Sequence, residues 1–120
     1  MSMSKILRVN MSTLSVVIEE SKENYRLLGG RAFIAKYMLE EVKATCEPLG
    51  RHNPLIFTPG LLGGSKAFSS GRISIGGKSP LTGGIKESNG GGVVGLKLAR
   101  AWLSSGDYRG SPQRCSELYP

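Results

Sequence analysis

Two short runs rich in β-branched residues open the chain, Lys5–Asn10 and Ser15–Glu20, separated by Met11-Ser12-Thr13-Leu14. Val9, Val16 and Ile18 alternate in part, which predicts a β-hairpin; its closeness to the N-terminus predicts an edge or outer strand. Ser21-Lys22-Glu23 has the character of a helix start, with Ser21 as candidate N-cap. After Gly29-Gly30, residues Phe33, Ile34, Tyr37, Met38 and Val42 recur at helical spacing, while Lys36, Glu40 and Lys43 take the opposite face. The spacing predicts a helix over about Arg31–Thr45, with Phe33 to Val42 as core and a small Glu40–Lys43 attraction. Glu47–Pro54 reads as a loop from its prolines, glycine and asparagine. Leu55-Ile56-Phe57-Thr58 is a compact apolar run ending at Pro59-Gly60, a buried strand that delivers the chain into a glycine-rich region.

From Gly60 the pattern changes. The stretch Gly60–Gly95 holds 12 of the 17 glycines and a net charge of +3 from Lys66, Arg72, Lys78, Lys86 and Glu87. Glycine at that density costs conformational entropy, so it persists where backbone adopts unusual dihedrals or must approach something closely. Exposed backbone N–H groups beside Arg and Lys suit a polyanion, phosphate above all. Within the stretch, Arg72-Ile73-Ser74-Ile75 alternates as a strand, Ser79–Gly83 reads as a turn and Ile85-Lys86-Glu87 as a further short strand. Leu96, Leu98, Ala99 and Trp102 predict a helix that starts at Gly90-Gly91-Gly92, and from Ser104 onward the chain is polar and patternless. The whole reads as an α+β fold of short mixed or antiparallel strands with one or two helices.

Composition narrows the function classes. A length of 120 residues fits one small domain or part of a larger one, and 7% aromatic residues allow only a thin core. The net charge of +7 favours anionic partners but is spread along the chain, not gathered on a helix or tail with stacking aromatics, which argues against a nucleic-acid binder. The N-terminus lacks a secretory pattern and no apolar run approaches the ~20 residues of a membrane span, so a cytoplasmic location without membrane contact is expected. Cys46 and Cys115 have no metal-type spacing and read as unrelated free thiols; His52 is the lone histidine and reads as a loop residue.

Two phosphate motifs nearly fit. Gly77-Lys78-Ser79 resembles the end of a phosphate loop, but the glycine needed five residues earlier is Arg72. Gly90-Gly91-Gly92-Val93-Val94-Gly95 matches G-x-G-x-x-G, yet Lys86-Glu87-Ser88-Asn89 before it is too polar for the buried strand that a dinucleotide site requires. The distinctive signal is an ordered set: Gly71-Arg72, then Lys78-Ser79-Pro80-Leu81-Thr82-Gly83, then Ser88-Asn89-Gly90-Gly91. With Lys5–Asn10, Leu28-Gly29-Gly30-Arg31, Pro48-Leu49-Gly50, Asn53, Leu55-Ile56-Phe57 and Pro59-Gly60 in register, it resembles the N-terminal domain of the tungsten-containing aldehyde:ferredoxin oxidoreductases over about residues 5–100.

That resemblance implies a tungstopterin or molybdopterin cofactor of two pterin dithiolenes whose phosphates are joined through magnesium. Arg72 corresponds to the family's pterin-contacting arginine, whose planar fork donates several bonds at once. Asn89 corresponds to the magnesium-site asparagine. Gly91 matches a position where backbone lies against the cofactor, with Gly90 beside it; Lys78 and Ser79 are further candidates nearby. The implied reaction is oxidation of an aldehyde to a carboxylic acid, with electrons passed through an iron–sulfur cluster to ferredoxin, and a homodimer is an option for the full-length enzyme. The cluster cysteines and the catalytic acid–base groups belong to later domains of that family, so the chain alone is expected to be inactive. The other class left open is a small basic glycine-rich domain, not an enzyme, that binds phosphate-bearing ligands or nucleic acid.

The chain departs from the family in two places. Leu62-Gly63-Gly64-Ser65-Lys66-Ala67-Phe68 stands where a Thr-Gly-Thr-like segment with a proline is usual. After Arg100, Trp102-Leu103-Ser104-Ser105-Gly106-Asp107-Tyr108 replaces a Gly-Tyr-Asp segment and an apolar strand. Codons for Ala101 to Ser111 read one base further along can encode Xaa-Gly-Tyr-Xaa-Ala-Val-Ile-Ile-Glu-Gly, the family's continuation. The expected organisation is therefore a partial cofactor-binding domain over residues 1–103 and a disordered or frameshifted tail over 104–120.

Overall fold

The computed structural model describes residues 5–101 and the backbone of 103–109. One six-stranded mixed sheet runs through the domain, built from β1 (Lys5–Asn10), β2 (Ser15–Glu20), β3 (Leu55–Pro59), β4 (Ile73–Lys78), β5 (Ile85–Gly90) and β6 (Leu103–Arg109). The order across it is β2-β1-β6-β3-β4-β5, with β1 and β6 parallel and every other pair antiparallel. Helix α1 (Gly30–Glu41) lies against β3, β4 and β5, and the short helix α2 (Val94–Arg100) lies against β3 and β6. The expected α+β class, the mixed pairing and the two helices are all present.

The hairpin closes through turn chemistry that the sequence supplies. Asn10 Oδ1 accepts the backbone N–H groups of Ser12 (3.0 Å) and Thr13 (3.2 Å), an Asx turn, and Leu14 takes a positive φ of 53° before β2 pairs in register. Of the two hairpin strands only β2 is an edge. β1 is interior, flanked by β2 and β6, which corrects the expectation drawn from its place near the N-terminus.

Phe33, Ile34, Tyr37 and Met38 face the sheet and join Ile6, Tyr25 and Ile56 in a single core cluster. The rings of Tyr25, Phe33 and Tyr37 meet at centroid distances of 5.4–6.2 Å. α1 ends at Glu41, short of Thr45, because Val42 turns extended (φ −121°, ψ 127°) and packs on the core from outside the helix. The expected Glu40–Lys43 pairing gives way to Lys36 Nζ at 2.8 Å, the Tyr25 hydroxyl at 2.6 Å and Asn24 at 3.1 Å. Ser21 caps no α-helix: its hydroxyl donates to the Lys22 carbonyl, and only the single 3-10 turn Glu23–Tyr25 follows.

Glycine lets backbone layers touch at a few decisive points. A Cβ on Gly76 would stand 2.8 Å from Ile34 Cγ2 and 2.8 Å from the Lys86 carbonyl, so α1 sits directly on β4 there. At Gly95 a Cβ would run into the Gly71 and Arg72 carbonyls, and at Gly71 into the Gly92 carbonyl. These glycines fasten the first turn of α2 to the entry of β4. From Ser104 the sequence reads as patternless, whereas the backbone of Leu103–Arg109 is placed as a strand between β1 and β3. Trp102, Cys115 and the rest of the expected tail beyond Arg109 lie outside the described residues.

Candidate functional site

Strand pairing brings two parts of the glycine-rich stretch to one end of the sheet. Arg72 enters β4 and Asn89-Gly90 close β5, with Ile73 opposite Gly90 and Ser74 opposite Asn89. Asn89 and Gly90 thus lie on a strand, which extends three residues beyond the Ile85–Glu87 expected from sequence. Arg72 Nε donates to Asn89 Oδ1 at 2.5 Å. Asn89 Nδ2 donates in turn to Ser74 Oγ at 2.9 Å and more weakly to Glu87 Oε1 at 3.4 Å. Ser74 is buried. Hydrogen bonding from Ser74 first, then from Asn89 and the charge of Arg31, holds the Glu87 carboxyl below its usual range against the opposing effect of burial. Arg31, in the first turn of α1, reaches to 3.8 Å from Glu87.

Beside this network the backbone is bare. A Cβ built on Gly91 or Gly92 meets nothing within 4 Å, and Gly92 adopts a φ of +109° that disfavours any other residue. Exposed main chain next to an arginine is the surface a polyanion needs. Arg72 spends Nε on Asn89, and among the described residues its two Nη groups have no protein partner. Arg72, Asn89, Gly90 and Gly91 are therefore brought together.

Lys78 and Ser79 are not. They stand at the far end of β4, six residues and about 20 Å along the strand from Arg72. Lys78 Nζ donates to the Ala44 carbonyl and, at 2.7 Å, to the Cys46 carbonyl, tying β4 to the segment after α1. Asn53 secures the same corner through both the N–H (2.9 Å) and the carbonyl (3.0 Å) of Lys78. Ser79 Oγ accepts the N–H groups of Leu81 and Thr82 and so shapes the turn expected there. Their neighbourhood is a concavity of about 590 Å³, lined in part by Leu55, Ile75, Lys86 and Ser88.

Sequence reasoning did not single out Ser74, Glu87 or Arg31 as parts of the site. The available signal was a serine between Ile73 and Ile75 and an unbroken polar run, Lys86–Asn89, where a strand was expected. His52 lies in an exposed loop against Arg51, and Cys46 is a half-buried free thiol. Among the described residues no three His, Cys, Asp or Glu gather as a metal cluster, and no helix is long and apolar enough to cross a membrane.

The chain matches the family described as "Aldehyde ferredoxin oxidoreductase, N-terminal domain" over residues 6–106. It is 42% identical over 96 residues to the tungsten-containing aldehyde ferredoxin oxidoreductase of Thermococcus kodakarensis, a match covering 78% of this chain and 16% of the relative. Its identity to the enzyme of the same description in Pyrococcus furiosus is 34% over 117 residues, covering 96% of this chain and 19% of that one. The chain thus spans less than a fifth of the length of these relatives. Among solved structures, the active-site complex BamBC of benzoyl coenzyme A reductase, determined with 1,5-dienoyl-CoA, superposes with a TM-score of 0.85 at 29% identity. That match covers 91% of this chain and 17% of the other.

Proposed function

Because the chain belongs to the aldehyde ferredoxin oxidoreductase family, as its N-terminal domain, we propose that it forms one wall of a pterin-cofactor site in a larger cytoplasmic oxidoreductase. The observation that carries this reading is the pairing of an oriented, partly uncommitted guanidinium (Arg72) with the bare backbone of Gly91 and Gly92. The tungsten named in the relatives' descriptions makes tungstopterin the cofactor of choice. Bound there, it supplies the redox chemistry that takes an aldehyde to a carboxylic acid; the electrons leave for ferredoxin through an iron–sulfur cluster. With Cys46 and Cys115 its only cysteines, this chain leaves the cluster ligands to other parts of the enzyme.

The residues fit the anionic part of such a cofactor. Arg72 can present its Nη pair to phosphate or to pterin heteroatoms in a planar fork, and glycine lets the ligand lie on the main chain without a side chain between them. They fit magnesium at the Asn89 side chain less well. Asn89 Oδ1 already accepts Arg72 Nε, and a divalent cation on that oxygen would face the positive guanidinium.

Surface character supports membership of something larger. Phe68 and Leu81 are almost wholly exposed, and Val16 and Ile18 of β2 are each 60% exposed. Apolar area of that kind is ordinarily covered by further polypeptide. The test is a chimera in which residues 1–103 of this chain replace the matching segment of the Thermococcus kodakarensis relative. Tungsten and pterin content near that of the parent is expected, with most of both lost on Arg72→Ala. A folded chimera without tungsten, or an Arg72→Ala form that keeps its full complement, would refute the reading.

A further inference from the structure

We infer that Ser74 and Glu87 are positioning residues for Arg72, acting through the side-chain amide of Asn89. This deepens the proposed cofactor site and rests on it for the identity of the ligand, but the orientation of Arg72 can be tested without any cofactor.

Asn89 carries an acceptor oxygen and a donor nitrogen that are nearly the same shape, so its orientation is decided by neighbours. On one side stands Arg72 Nε–H, a pure donor, at 2.5 Å from Oδ1. On the other stand Ser74 Oγ at 2.9 Å and Glu87 Oε1 at 3.4 Å from Nδ2. A flipped amide would set NH2 against the guanidinium N–H and the carbonyl against a carboxylate, losing both contacts and creating two repulsions. Glu87 supplies the negative charge that makes the observed orientation the favoured one. Ser74 completes the relay, its oxygen accepting from Asn89 Nδ2 at the same end of the amide that meets Glu87.

The register makes the relay rigid. Ser74 lies opposite Asn89, and Glu87 lies two residues before Asn89 on the same face of the sheet. Gly30 comes within 3.4 Å of Ser74 Oγ at its virtual Cβ, so the start of α1 closes over the serine and holds it out of water. Arg31 on α1 stands 3.8 Å from Glu87, and Lys86, its neighbour on β5, adds a weaker positive charge; both favour its charged form. The product of the arrangement is a guanidinium pinned at Nε, with no partner on its two Nη groups among the described residues. Held this way, Arg72 loses less side-chain entropy when it meets a ligand.

The experiment uses the full chain labelled with 15N. Exchange of the Arg72 Nε–H with water is measured by NMR in the wild type, Glu87→Gln and Ser74→Ala, alongside binding of inorganic pyrophosphate. The expected result is an Nε–H that exchanges at least tenfold more slowly than those of exposed arginines and loses this protection in both variants. Pyrophosphate affinity should fall several-fold in both. Glu87→Gln is close in shape and its side chain is only partly buried, so it decides the matter even if Ser74→Ala fails to fold. Unchanged Nε–H protection in Glu87→Gln, or an unprotected Nε–H in the wild type, overturns the inference. Protection that depends on Glu87 while Arg72→Ala leaves pyrophosphate binding unaltered would uphold the positioning role and count against the cofactor reading alone.

Discussion

Ile34 and Gly76 meet where α1 lies on the sheet, and their interdependence can be measured. Ile34 is fully buried, and truncation to alanine removes three carbons against a strand that has no side chain with which to fill the space. That places its cost at about 3 kcal/mol, mid-range for such a change. Gly76→Ala errs the other way. Its Cβ would sit 2.8 Å from Ile34 Cγ2, 3.1 Å from Ile34 Cδ1 and 2.8 Å from the Lys86 carbonyl. Restoring ordinary contact means moving α1 or β5 by roughly 0.6 Å, an overpacking cost of about 2 kcal/mol. In the double variant the added methyl enters the space left by Ile34, so only the carbonyl clash remains. The double loss is therefore expected to fall short of the sum by at least about 1 kcal/mol. The assay is urea unfolding of the purified chain, followed by tyrosine fluorescence and far-UV circular dichroism, with thermal midpoints as a check at about 4 °C per kcal/mol. If Ile34→Ala leaves too little native protein to fit, Ile34→Val, at about 1 kcal/mol, takes its place. Losses that add to within ~0.3 kcal/mol, or a neutral Gly76→Ala, would refute this packing of helix on strand.

Two further outcomes concern side chains away from the site. The Tyr25 phenol is buried and hydrogen-bonded to Glu40, and burial first, then the bond to Glu40 and its charge, raises its pKa above the ordinary value near 10. The folded chain holds that proton more tightly than the unfolded chain, so the contribution is complete below pH about 10 and is lost as pH rises beyond it. Alkaline titration of stability should show this fall, and Tyr25→Phe should remove it while costing about 1.5 kcal/mol at neutral pH; an unchanged alkaline limb in the variant would contradict it. Lys78→Met should release the Ala44 and Cys46 carbonyls and lower stability by ~1–2 kcal/mol, read by urea unfolding. In the Thermococcus chimera the same change should leave tungsten content intact; metal loss without destabilisation would return Lys78 to the cofactor site.

Much of the fold was legible in the chain. The 3.6-residue recurrence of Phe33, Ile34, Tyr37 and Met38 located α1 and its buried face, and the apolar run before Pro59-Gly60 located β3, because burial leaves a periodic trace. What escaped were features settled by partners distant in sequence. The end of α1 depends on Val42 packing against the core, which no local propensity encodes. Lys78 reads as a ligand candidate because it is basic among glycines, yet the fold spends its charge on two carbonyls some thirty residues earlier. The strand expected at Ile85–Glu87 runs on through Ser88-Asn89-Gly90, whose polar character hid it because one face of β5 carries a hydrogen-bond network in place of apolar packing. Arg72, Asn89 and Gly91 were singled out by motif order alone; antiparallel pairing of β4 with β5 explains why residues seventeen apart share one corner.

The position of β6 bears on how the domain is made. The strand latest in the chain occupies the middle of the sheet, pairing Lys5 with Leu103 on one flank and Phe57 with Gly106 on the other. During synthesis the β1–β2 hairpin and the β3–β4–β5 meander can each form as they leave the ribosome, but neither has the other as a neighbour. Each waits with an open row of amides and carbonyls until the last strand inserts between them, and contacts so far apart in sequence are slow to form. Biogenesis is then a race between insertion and capture of those open edges by another chain or a chaperone. The nascent protein is at its most vulnerable just before residues 103–109 emerge.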